Sequence, residues 1–108
     1  MLTFKQGVSI YGLQPEILWA LDRCNEVWIG DCVVTSARGD RHSVKSYHRL
    51  GLAVDLRSRD HDRQQQLDIL LKANEALGDG YDLILESNHY HLEYDPPQQI
   101  EYLTKLAA

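Results

Sequence analysis

Apolar residues recur at helical spacing in two stretches of the chain. In the first, Pro15 suits an opening helical turn and Gly30 a closing one, and the apolar residues between them are Ile17, Leu21, Cys24 and Trp28. In the second, Asp60 or Asp62 can cap a helix that ends at Gly78, after a stripe formed by Leu67, Leu70, Leu71, Asn74 and Leu77. The pattern therefore predicts two amphipathic helices.

Other short stretches are rich in β-branched residues or alternate between apolar and polar side chains, as strands do. The predicted strands are 32–36, 51–57, 81–86 and 89–94. Ser87 and Asn88 form a tight turn that would join the last two strands as a hairpin, and a short helix is expected from about Gln98 to Leu106. This order predicts one α+β domain over residues 1–108, with a small antiparallel or mixed sheet packed against helices.

The composition is that of an ordinary soluble globular domain, with 44% hydrophobic and 25% charged residues. A net charge of −5 argues against binding nucleic acid through its phosphates. No run approaches the roughly 18 apolar residues that a membrane helix needs, and the N-terminal stretch lacks the basic start and apolar segment of a signal peptide. Cys24 and Cys32 are expected to be reduced, partly buried thiols.

The residues that precede and form the second predicted strand include a histidine and an aspartate. His48 and Asp55 are seven residues apart, and Gly51 and Ala53 between them are small. Strand alternation places Gly51, Ala53, Asp55 and Arg57 on the face opposite the apolar one. A strand that presents a carboxylate among small residues leaves room for a metal ion or a substrate.

The last predicted strand supplies more titratable groups. His89, His91 and Glu93 share one face of it, and Glu86 ends the strand before it. Together with the histidine and aspartate above, one of His89 or His91 would complete a set of two nitrogen ligands and one oxygen ligand. Such a set suits zinc with a fourth position left open for water, which is typical of a catalytic site.

Two other interpretations of these residues are weaker. An iron(II) oxygenase could use His91-x-Glu93 with another histidine as a facial triad, but that chemistry normally needs a double-sheet jelly roll, and too few strands are predicted here. A metal-dependent nuclease fits poorly with the acidic net charge.

Two separated motifs resemble those of a known peptidase family. Ser46-Tyr47-His48, followed by Gly51, Ala53 and Asp55, matches the S-x-H-x-x-G-x-A-x-D signature of the zinc D-alanyl-D-alanine carboxypeptidases and related phage endolysins, the M15 peptidases. His89-Tyr90-His91 matches their later H-x-H motif, and VTSARGDRH resembles the segment that leads into their first signature.

The zinc face of the hedgehog signalling domain has a similar arrangement, which His42-Ser43-x-x-Ser46-x-His48 resembles. The likeness to the peptidases spans roughly Leu13 to Pro97, most of the chain. It implies a hedgehog/DD-peptidase-like fold.

The resemblance implies a set of zinc ligands. It assigns His48, Asp55 and His91 to the metal, because the second histidine of H-x-H normally binds it. The spacing Glu86-x-x-His89 also occurs in some members of the family, and that register would make His89 the ligand instead.

The resemblance also implies roles around the metal. Glu86 matches the acidic residue that serves as general base. His89 or Arg38 would stabilise negative charge on the substrate carbonyl, and Arg38, His42 and Ser46 would contact the substrate.

The activity that the resemblance implies is hydrolysis of peptidoglycan stem peptides by a zinc-activated water. The protein would be a D-Ala-D-Ala carboxypeptidase or an endolysin-type endopeptidase. The alternative is a catalytically inactive, zinc-containing binding module of the same fold, although such a module has no need of Glu86. The stem peptide is the expected partner, with no nucleic acid and no membrane span, and the chain is expected to be a monomer. It would be made in the cytoplasm of a bacterial host and act on the cell wall after release or within a phage particle.

Overall fold

The computed structural model describes residues 1–37, 47–48, 50–95 and 105–107. They form an α+β domain with a five-stranded mixed sheet, which confirms the predicted class. In chain order the elements are β1 (Leu2–Phe4), α1 (Pro15–Val27), β2 (Cys32–Ser36), β3 (Ala53–Arg57), α2 (Arg63–Leu77), β4 (Tyr81–Leu85) and β5 (His89–Tyr94). Most of the helix expected from about Gln98 to Leu106 lies outside the described residues. Residues 105–107 are described, and they are helical.

The strands are arranged in the order β1-β2-β3-β5-β4. β1 runs parallel to β2, and every other neighbouring pair is antiparallel. The predicted hairpin is confirmed, because β4 pairs with β5 and the Glu86 amide donates to the His89 carbonyl at 2.8 Å across Ser87 and Asn88. β5 therefore lies between β3 and β4, which places the last strand beside the central one.

Both helices pack on one face of the sheet and bury a single core there. Val54 and Leu56 of β3 and Tyr90 and Leu92 of β5 face this core. α1 and its C-cap residue contribute the predicted apolar stripe of Ile17, Leu21, Cys24 and Trp28. The stripe predicted for α2 was wrong except for Leu77 and the partly buried Leu70, because Leu67 and Leu71 are exposed and the helix buries Ile69 and Ala73 instead. No helix in the described ranges is both long and apolar enough to cross a membrane.

The start of α2 shows which of two candidate aspartates caps the helix. The Asp62 carboxylate accepts from the Gln65 amide at 2.8 Å, while the Gln65 side chain accepts from the Asp62 amide at 2.9 Å. This reciprocal pair is a capping box. Asp60 instead accepts a hydrogen bond from Arg57 at 2.8 Å.

The two cysteines are free and fully buried in the core, and burial raises the pKa of each thiol to about 12, above the ordinary value of 9.0. The unfolded chain would therefore lose these protons at lower pH than the folded one. Their contribution to stability is complete below pH 9 and is lost as the pH rises toward 12.

We expect the free energy of unfolding, measured in denaturant, to fall less between pH 7 and pH 10 for Cys24→Ala/Cys32→Ala than for the native protein. Equal falls would contradict this.

Candidate metal centre

The neighbouring strands β3 and β5 bring the candidate ligands together. Their register pairs Asp55 with His91 and Arg57 with His89. Because Val54, Leu56, Tyr90 and Leu92 point to the core, the intervening residues lie on the opposite face of the sheet, as alternation predicts. The carboxylate and both histidines are therefore side by side, away from the helices.

The bulge between β2 and β3 lies next to this site. The pairing shifts register between Val34 and Ser36. Between them, the Thr35 hydroxyl donates to the Asp55 carbonyl oxygen at 3.4 Å. Bulges often lie next to functional sites, where they redirect side chains, and this one fixes the backbone of the residue at the centre of the cluster.

A tight turn places His48 on the same face of the sheet. The Gly51 amide donates to the His48 carbonyl at 3.1 Å, and the Leu52 amide donates to the Tyr47 carbonyl at 2.9 Å. The loop before α1 supports this turn, since the Gln14 amide donates to the Gly51 carbonyl at 2.9 Å. His48 is almost fully buried as a result, with 5% of the residue's surface exposed.

One oxygen of Asp55 is the centre of the cluster. Its Oδ1 lies 3.1 Å from Nε2 of His48 and 3.2 Å from Nδ1 of His91. Nε2 of His89 is farther away, at 3.6 Å. Three imidazole rings thus present one nitrogen each to a single carboxylate.

The second nitrogen of each of these rings is held by another oxygen atom. Nδ1 of His48 lies 3.3 Å from the Ala37 carbonyl oxygen, and Nε2 of His91 lies 2.8 Å from Oε1 of Glu93. In metal sites, such outer oxygens accept the remaining N–H of a ligand histidine and fix its tautomer and orientation. The other nitrogens, Nε2 of His48 and Nδ1 of His91, are therefore directed at the same point as Oδ1 of Asp55.

The electrostatics reflect this convergence. Burial would by itself raise the pKa of Asp55, but hydrogen bonds from His48 and His91 together with nearby imidazole charge hold it well below its usual range. The pKa of His91 is raised, chiefly by its hydrogen bond to Asp55, against burial and with help from Glu93. The carboxylate is therefore ionised near neutral pH, as a metal ligand must be.

His48, Asp55 and His91 could hold a metal ion, because one donor atom from each lies within 4.8 Å of the others. The donors are two imidazole nitrogens and a carboxylate oxygen. His89 is not a member of this group in the described part of the chain.

His89 and Glu86 lie at the border of the cluster. Nε2 of His89 is 3.8 Å from Oε1 of Glu86, and Nδ1 of His91 is 4.0 Å from the same oxygen. Nδ1 of His89 lies 2.7 Å from Oδ1 of Asn88. Nearly half of the Glu86 side chain is exposed, so this carboxylate can meet both solvent and the group of histidines.

No family model, curated protein or solved structure matches this chain. The resemblance to the M15 peptidases therefore stays a hypothesis that rests on the two motifs. Arg38, His42 and Ser46, to which the resemblance gives substrate contacts, lie outside the described residues. Their roles stay predictions.

The outer oxygens of the site were not predicted from the sequence. Glu93 was placed on the same strand face as His91 but was interpreted only as a possible iron ligand. The Ala37 carbonyl could not be found from the sequence, because a backbone oxygen carries no residue-type signal. A further histidine, His61, is buried away from the cluster, where its ring nitrogens contact the Tyr90 hydroxyl and the Ile29 carbonyl at 3.0 and 2.7 Å.

Proposed function

We propose that this protein is a zinc-dependent peptidase that hydrolyses peptidoglycan stem peptides. The observation that carries the proposal is the convergence of His48, Asp55 and His91 on one face of the sheet, with the Glu86 carboxylate at its border. The substrate class comes from the resemblance of the two motifs to the M15 peptidases. The metal and the reaction are supported by the donor set itself.

The donor chemistry fits zinc better than the harder cations. Mg²⁺ and Ca²⁺ prefer sites made entirely of oxygen, whereas two imidazoles and one carboxylate are a common catalytic set for zinc. His48, Asp55 and His91 would hold the ion, and the oxygens of Ala37 and Glu93 would orient the two rings. Bound zinc acts as a Lewis acid that makes water a nucleophile near neutral pH and polarises a carbonyl group.

Glu86 would move the proton in this reaction. Its carboxylate is partly exposed and within 4.0 Å of two histidines of the cluster, so a water at the site can donate to it. Glu86 would accept a proton as the peptide bond is attacked and return it to the leaving amine. This is the role of a general base that then acts as a general acid.

His89 would stabilise charge on the substrate. Asn88 holds its Nδ1, which leaves Nε2 directed toward the cluster. A hydrogen bond from this nitrogen to the carbonyl oxygen of the scissile bond would strengthen as negative charge develops there. Arg38 is proposed to share this task and, with His42 and Ser46, to bind the substrate.

We expect Glu86→Gln to lower the hydrolysis of isolated cell walls and synthetic stem peptides by about 100-fold or more, the usual effect of losing a general base. Zinc content should not change, because Glu86 is not among the proposed ligands. Glu75→Gln, an exposed change of the same kind on α2, should keep full activity. Cleavage by the native protein should stop on addition of a chelator and return with zinc.

Two outcomes would contradict the proposal. Full activity of Glu86→Gln would remove this residue from the mechanism. Native protein that carries one zinc ion and binds the peptide, yet never cleaves it, would instead be the inactive binding module that the motifs also allow.

A further inference from the structure

A cleft of about 420 Å³ opens directly beside the candidate metal centre. Asp55 and His89 of the cluster form part of its wall, and three cationic residues form another part: Lys5, Arg57 and Arg59. We call this feature the basic cleft. Its volume is within the range of pockets that bind small organic groups.

The sheet topology assembles the basic cleft from distant parts of the chain. β1 runs parallel to β2, and the Lys5 amide donates to the Val34 carbonyl at 2.9 Å just after the strand ends. Leu2 and Phe4 pack against the core, so alternation places Lys5 on the side of the candidate metal centre. Arg57 lies in β3 opposite His89, and Arg59 follows two residues later.

The charges in the basic cleft are only partly neutralised. Arg57 is anchored by Asp60, whose Oδ2 lies 2.8 Å from both its Nε and its Nη2. By contrast, no carboxylate in the described ranges lies within ion-pair distance of the Lys5 amine or the Arg59 guanidinium. In a chain with a net charge of −5, two cations beside the candidate reaction centre thus have no ion-pair partner among the residues that the structure describes.

We propose that the basic cleft binds a carboxylate group of the peptide substrate and that Lys5 and Arg59 are specificity-determining residues. The inference rests on the proposed function and extends it from a metal centre to the substrate next to it. Charge-assisted hydrogen bonds from an ammonium and a guanidinium group suit a carboxylate, and stem peptides carry carboxylates close to their peptide bonds. The acidic net charge disfavours a polyanion such as nucleic acid as the ligand.

The experiment compares three synthetic peptides by calorimetric titration of zinc-loaded Glu86→Gln protein, which should cleave them about 100-fold or more slowly than the native protein does. The first is L-Ala-γ-D-Glu-L-Lys-D-Ala-D-Ala, and the others carry an amide in place of the D-Glu α-carboxylate or of the terminal carboxylate. One of the two amidations is expected to weaken binding by about tenfold or more, the effect of losing a hydrogen bond to a charged group. Lys5→Gln/Arg59→Gln, made in the same protein, should bind the parent peptide more weakly by a similar factor and no longer distinguish it from that amide.

Arg63→Gln/Lys72→Gln is the matched control, because it removes the same two charges from exposed positions of α2. It should bind and discriminate as the unchanged protein does. Equal discrimination by the Lys5/Arg59 double variant, or no effect of either amidation, would overturn the inference. Displacement of the peptide by inorganic phosphate, at phosphate concentrations below the Kd of the peptide, would also overturn the inference.

The outcomes separate this inference from the proposed function. Suppose that only the Lys5/Arg59 variant fails to distinguish the parent peptide from its amide, and that the native protein cleaves neither. This result would support the basic cleft and contradict the peptidase. Cleavage of all three peptides at equal kcat/KM would support the peptidase and contradict the basic cleft.

Discussion

His91→Ala is expected to lose the bound zinc, whereas His89→Ala should keep it. Nδ1 of His91 is 3.2 Å from the Asp55 oxygen at the centre of the cluster, and its other nitrogen is held by the Glu93 carboxylate at 2.8 Å. His89 is farther from Asp55, and its other nitrogen is held by a neutral amide. An acidic outer partner raises the basicity of a ligand histidine, so both features favour His91.

The magnitudes should differ clearly between the two variants. Loss of an outer partner alone costs about 10- to 100-fold in metal affinity, so loss of the ligand in His91→Ala should exceed 100-fold. His89→Ala should change zinc affinity by less than about tenfold but lower kcat by about 100-fold or more, through lost charge stabilisation. Competition with a chromogenic chelator measures the first effect, and peptide hydrolysis measures the second.

The reverse pattern would assign the ligand role to His89. Zinc lost from the His89 variant and kept by the His91 variant would favour the Glu86-x-x-His89 register of the sequence motif. Both side chains lie on the face of the sheet away from the core, so both variants should unfold at the same denaturant concentration in the absence of metal. That measurement separates a lost ligand from a damaged fold.

Gly51→Ala is expected to destabilise the fold strongly. Gly51 has a φ of +75°, and a Cβ atom built on it would collide with the backbone carbonyl oxygen of Gly12 and crowd the Gln14 amide. Neither contact can be relieved by turning a side chain, because both involve backbone atoms. The substitution must therefore separate the turn of His48 from the loop before α1, at a cost of about 3 kcal/mol or more in the free energy of unfolding.

Gly30→Ala provides a matched comparison. Gly30 has the same φ of +75°, but a Cβ atom there would meet nothing within 4 Å. Replacing Gly30 with alanine should lower the free energy of unfolding by only about 1–2 kcal/mol, the cost of placing a Cβ atom on a left-handed backbone. Denaturant unfolding of both variants isolates the collision at Gly51, and equal losses would show that the contact with Gly12 relaxes freely. Weaker zinc binding should accompany Gly51→Ala alone, because its turn places His48.

The parts of the fold that follow from local pattern were predicted from the sequence. The apolar spacing from Ile17 to Trp28 predicted α1, and the alternation of His89–Tyr94 predicted β5 with the correct residues facing the core. β1 was missed, because its three residues are too few to show alternation and it gains its place through a parallel pairing with β2. Neither the bulge at Thr35 nor the position of β5 between β3 and β4 is encoded by nearby residues.

The candidate site was accessible from sequence for the same local reason. The short spacing between His48 and Asp55, and the shared face of His89 and His91, limit where these side chains can lie. The basic cleft was not accessible, since Lys5 and Arg59 meet only after β1 has joined the sheet. The features that were not predicted from the sequence therefore depend on pairing between strands that are far apart in the chain.

The two different faces of β3 and β5 have a consequence for how this protein can change over time. Along each strand, one residue packs against the helices and the next faces the candidate metal centre. Neighbouring residues of these strands are thus under different physical constraints, whereas residues two apart share one. A substitution at an exposed position on the face of the candidate metal centre leaves the side chains that pack against the helices in place.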